Sequence, residues 1–106
     1  MDDELRLFAT ADPARDIFKV YAYFWATGKR EQAAEFCQRF NANMIVAKAQ
    51  VRGTPDADGQ WPVMIDHDRL VFGEERLEAR TIVKMVRRFQ FIVRNGLTRF
   101  DEDKIF

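Results

Sequence analysis

The chain is poor in the residues that usually carry chemistry. It holds one cysteine, Cys37, and one histidine, His67, in 106 residues. A single thiol cannot close an internal disulfide, so a secreted, disulfide-stapled fold is excluded. One histidine supplies neither a His-rich metal site nor a residue that can be assigned to a catalytic triad by position. Glycine (five) and proline (three) are scarce, and the glycines form no phosphate-cradling loop. Net charge is absent too: seventeen basic residues balance seventeen acidic ones. The chain as a whole therefore has no pull towards nucleic acid or an acidic membrane. It also has little charge repulsion between copies, which favours self-association. The longest apolar run, residues 20–26, is far too short to span a bilayer. The opening Met1-Asp2-Asp3-Glu4 is acidic where a secretion signal is basic. Composition thus points to a cytoplasmic location without membrane attachment, and no motif calls for a cofactor.

Apolar residues, by contrast, are plentiful at 47%, and ten of them are Phe. The length suits one domain, residues 1–106, able to bury roughly two-thirds of its unfolded surface without metal or disulfide. Residues 5–10 alternate weakly and predict a first strand. Asp12-Pro13 then reads as N-cap and first helical position, starting a helix that carries Ile17, Tyr21, Phe24 and Trp25. Residues 17–25 also fit a buried strand, being rich in β-branched and aromatic side chains. That strand would set Phe18, Val20, Ala22 and Phe24 on one face. Periodicity leaves the two open, and the cap favours the helix.

Gly28 breaks the chain. Residues 29–40 predict a helix with Ala33, Phe36, Cys37 and Phe40 on its apolar face, ended by Asn41 and Asn43. Residues 44–51 predict a strand and residues 53–59 a loop. Residues 63–65 and 70–72 read as the arms of a hairpin turning at Asp66-His67-Asp68, with Gly73 closing the second arm. The last helix follows, with Glu74, Glu75 and Glu78 at its start. Ile82, Met85, Val86, Phe89, Ile92 and Val93 form its stripe, and Asn95-Gly96 reads as its stop. The tail, residues 97–106, has Phe100, Ile105 and Phe106 to dock on the body or on another copy.

Few constellations carry function. Cys37 falls on an apolar helix face, as a structural thiol does. Asp56 and Asp58 with Gly59 lack the remaining ligands of a calcium loop. The last helix holds six bases and no acid between residues 79 and 100. Arg80, Lys84, Arg87, Arg88 and Arg94 lie near one face, where they can be a solvated outer surface or a track for phosphates. Tyr21, Tyr23, Trp25, Trp61 and Phe106 exceed what a small core needs, and tyrosine and tryptophan are enriched at interfaces.

Trp61-Pro62-Val63-Met64-Ile65-Asp66, followed by Leu70-Val71-Phe72-Gly73 and the closing helix, resembles the second half of glutaredoxin and thioredoxin-like domains. The resemblance covers about a third of the chain and implies a cis Pro62 ahead of a strand. It also implies a cysteine where the first strand meets the first helix. Thr10-Ala11-Asp12-Pro13 and Trp25-Ala26-Thr27-Gly28 occupy that junction without one, which implies a redox-dead or monothiol relative.

The expected fold is α/β, a small mixed sheet of three or four strands with flanking helices. The alternative is α+β: a helical hairpin, an antiparallel meander and a long C-terminal helix. The expected function is a non-enzymatic protein-interaction module, a homodimer or a binder of another protein. Nucleic-acid binding through the basic helix face is the second expectation.

Overall fold

Residues 17–25 decide the architecture, and they are strand. The computed structural model describes residues 6–72 and 77–106. In it β2 (Ile17–Ala26) lies between β1 (Phe8–Asp12) and β4 (Trp61–Leu70), with β3 (Lys48–Val51) on the far side of β4. The order β1-β2-β4-β3 is antiparallel throughout, where the sequence reading had a mixed sheet. Two helices, α1 (Arg30–Asn43) and α2 (Ala79–Phe100), complete the α/β fold. Among the described residues, no helix is long and apolar enough to cross a membrane.

The helix expected from Pro13 does not form. Asp-Pro opens turns as readily as helices. Here Arg15 N donates to Asp12 O (3.2 Å), and Asp16 takes φ 58° to bring the chain back as a hairpin. β2 then gains a ladder on each side, along residues 17–21 with β1, where Phe8 meets Tyr21, and along its whole length with β4, where Leu70 meets Ile17. A lone helix would forgo those long-range bonds.

The second hairpin is also corrected. Residues 61–70 form one strand, paired with β2 along its whole length. Asp66, His67 and Asp68 are therefore not a turn. Lys19 satisfies both carboxylates from the neighbouring strand, and His67 Nδ1 lies 2.7 Å from Val46 O. Among the described residues every peptide bond is trans, so the cis bond implied for Trp61–Pro62 is absent, and Pro62 sits inside β4. Gly73, Glu74 and Glu75 lie outside the described residues; Glu78 is the N-cap of α2.

Alternation along β2 and β4 sorts the sheet into two faces. Val20, Ala22, Ala26, Val63, Ile65 and Ala49 point to one side and are buried. Both helices pack there: α1 through Ala33, Phe36, Cys37 and Phe40, and α2 through Phe89, Val93, Leu97 and Phe100. The apolar face of α1 is thus the one its sequence predicts. At its start Gln32 Oε1 accepts from Lys29 N at 2.9 Å. At its end Asn41 reaches the outer strand β3, its amide donating to Ala49 O (2.9 Å) and accepting from Ala49 N (2.7 Å). That side chain supplies the edge strand with the bonds a further strand would give.

Asn95-Gly96 does not stop α2, which runs on to Phe100. Gly96 serves a different purpose. The Phe40 ring lies against it, and an added methyl would fall 2.6 Å from Phe40 Cδ2. The tail proper begins at Asp101 and docks on its own body. The Asp101 carboxylate accepts from the N–H groups of Ile105 (2.9 Å) and Phe106 (3.1 Å). Ile105 O in turn accepts from Thr27 N (2.8 Å), and Phe106 packs on Phe24 and Phe36.

Candidate interaction surface

Because both helices lie on one side, the other face of the sheet carries no helix among the described residues. β2 directs Ile17, Lys19, Tyr21, Tyr23 and Trp25 to it. β1 adds Phe8 and Thr10, β4 adds Pro62, Met64, Asp66 and Asp68, and β3 adds Lys48 and Gln50. An antiparallel sheet with one wet face ordinarily shows polar side chains there. This one shows a row of aromatic rings.

Phe8 and Tyr21 are register partners and stack with centroids 5.3 Å apart and planes 19° from parallel. Tyr21 meets Tyr23 edge-on at 5.8 Å. Trp25 follows two residues on. Phe8 is 45% exposed, Tyr23 41% and Trp25 48%. Beneath the row lie Pro62 and Met64, both buried though outside the main core. Rings that pair with each other along a sheet are held in place before any partner arrives. Their burial on contact then costs little side-chain entropy.

The row ends in a charged cluster. Lys19 Nζ stands 2.7 Å from Asp66 Oδ2 and 3.0 Å from Asp68 Oδ1. Asp66 is only 7% exposed. Burial works to lower the Lys19 pKa, but the hydrogen bonds and charges of Asp66 and Asp68 outweigh it and raise it above the ordinary lysine value. Lys19 therefore stays charged near neutrality and, through its two short contacts, fixes the polar end of the face.

The five aromatics singled out in the sequence divide accordingly. Tyr21, Tyr23 and Trp25 share the open face. Trp61 points to the helix side, with the Arg30 guanidinium 5.9 Å from its ring centroid, and Phe106 belongs to the core packing. Phe8 was missed, because only the hairpin register brings it beside Tyr21.

Arg80, Lys84, Arg87, Arg88 and Arg94 are all exposed on the outer side of α2, away from the open sheet face. Arg80 pairs with Glu78 at 3.5 Å. Cys37 is buried, and burial pushes its thiol up to about 11, so it holds almost no thiolate near neutrality. Asp56 uses its carboxylate to tie its own loop, accepting from Asp58 N (3.0 Å) and Gln60 N (2.8 Å). Among the described residues no group of three acids, cysteines or histidines is placed to hold a metal.

Comparison with protein-family models, with curated proteins and with solved structures finds no match to the chain.

Proposed function

We propose that this protein is a non-enzymatic interaction module that self-associates through the open face of its sheet. One observation carries the reading: Phe8, Tyr21 and Tyr23 pack ring on ring, with the exposed Trp25 two residues further along the strand, on a face that no helix covers among the described residues. Three features favour a second copy as the occupant. The net charge is zero, so copies do not repel. The Lys19 cluster carries both signs side by side, which suits a face packing on itself. The area suits a weak contact between copies. Two strands of ten residues, one of five and one of four, at about 3.3 Å per residue and about 4.8 Å per strand, give each face roughly 460 Å². Two faces come to about 900 Å², the range of weak, transient interfaces.

An interface of that size predicts a reversible dimer with a dissociation constant on the order of 10 µM. Sedimentation equilibrium from about 1 to about 500 µM covers that range. The wild-type protein is expected to pass from monomer to dimer across it. Tyr23→Ser combined with Trp25→Ser, both at exposed positions, is expected to remain monomeric while keeping its circular dichroism spectrum. A wild-type protein monomeric throughout, or a double variant that dimerises as well as wild type, refutes the proposal.

A further inference from the structure

The charges of this neutral chain are unevenly placed. Of its seventeen basic residues six stand on α2, which carries none of the seventeen acids. At 100° per residue, Arg80, Lys84, Arg87, Arg94 and Thr98 line the outer side of the helix, with Arg88 flanking. Phe91 sits within that line, four residues from Arg87 and three from both Arg88 and Arg94.

Phe91 is 61% exposed, the largest value for any ring among the described residues. Phe89, two positions earlier, is buried in the core, so the apolar stripe of the helix is already used elsewhere. Among the described residues no second ring and no guanidinium packs on Phe91, although Arg99 lies over Phe100 and Arg30 over Trp61. Among the described residues Lys84, Arg87 and Arg88 make no ion pair. The surface thus joins a ring with a free face to several cations within one or two helical turns.

We infer that the outer face of α2 binds single-stranded nucleic acid, with one base stacked on Phe91 and the phosphates on either side held by Lys84, Arg87, Arg88 and Arg94. Backbone charge and base stacking are the two terms that hold unpaired strands on proteins, and both are present here. A duplex hides its base faces and leaves Phe91 without a partner. A membrane needs a broad apolar helix face, and that of α2 is spent on the core. From Lys84 to Arg94 the helix rises about 15 Å, enough to engage a few nucleotides. This surface lies across the molecule from the aromatic sheet face, so its test does not depend on self-association.

The probes are fluorescein-labelled oligo-dT and oligo-rU of about a dozen nucleotides, read by anisotropy. Four phosphate contacts predict a slope of log K against log salt near −3, or about 50-fold weaker binding between about 50 and 200 mM salt. Phe91→Ala is expected to weaken binding about tenfold, and Phe91→Tyr to retain it. Arg87→Glu with Arg88→Glu is expected to abolish it, with the circular dichroism spectrum unchanged because both sites are exposed. Three results overturn the inference: no binding of either oligonucleotide at low salt, Phe91→Ala binding as tightly as wild type, or a duplex of the same length binding equally well. Displacement by polyglutamate as effective as by unlabelled oligo-dT would assign the face to acidic polypeptides and overturn it too.

Discussion

Replacing Gly96 by alanine tests the packing of the two helices at its tightest point. Two effects oppose each other. In a helix interior alanine is favoured over glycine by about 1 kcal/mol, so on an open surface the change would stabilise. At residue 96 the new methyl would lie 2.6 Å from Phe40 Cδ2, inside any real carbon contact. Phe40 is fully buried, with its ring 6.0 Å from that of Phe36 and 6.2 Å from that of Phe100. Overpacking a closed core costs roughly 1–3 kcal/mol, and a ring enclosed on both sides belongs at the upper end. The net expectation is a loss of about 2 kcal/mol, or a fall in Tm of roughly 10 °C for a domain this size. Urea unfolding followed by tryptophan fluorescence measures it as a lower midpoint at unchanged slope. Phe40→Leu removes the clashing ring atoms. The double variant should then be more stable than the two single losses predict, by more than about 1 kcal/mol. A Gly96→Ala protein about 1 kcal/mol more stable than wild type would refute the close approach of Phe40 to α2.

Further expectations concern groups whose environment the tertiary structure sets. Lys19→Met strands the buried Asp66 carboxylate and should cost about 1–3 kcal/mol, whereas Lys19→Met with Asp66→Leu should recover most of it in the same urea assay. Asn41→Ala should cost about 1–2 kcal/mol and selectively speed hydrogen exchange at the Ala49 amide, since that N–H loses its acceptor. Cys37 should react with a maleimide at least about 100-fold more slowly in the native protein than in urea, given a thiol raised to about 11. The same shift has a consequence for alkaline stability. A thiol that ionises more readily unfolded than folded stabilises the native state below its unfolded pKa. That advantage is lost as the pH climbs from the ordinary value of 9.0 towards about 11. Lys19, also raised, loses its contribution at still higher pH as it deprotonates. Cys37→Ala should therefore show a shallower loss of stability above pH 9 than wild type in urea titrations.

Local pattern alone determined a good deal of this protein. A helical period with flanking Gly28 and Asn43 was enough to define α1, its buried face and the fate of Cys37. Six bases without an acid made the outer side of α2 legible. Alternation in residues 17–25 also named the right core-facing set, Phe18, Val20, Ala22 and Phe24, under its strand reading, and so placed Tyr21, Tyr23 and Trp25 together on the other face. The sequence could not choose that reading, because Asp12-Pro13 punctuates a helix and a turn equally well. What decided it was pairing between residues far apart: β2 acquires ladders from β1 and β4 at once, and strand preference depends on such neighbours. The same long-range pairing carried β4 straight through Asp66, His67 and Asp68, with Lys19 from the adjacent strand satisfying the acids. It also brought Phe8 beside Tyr21. Gly96 shows the limit most simply. Asn-Gly is a helix stop when only the chain is considered, but against the Phe40 ring it is the one residue that lets two helices touch.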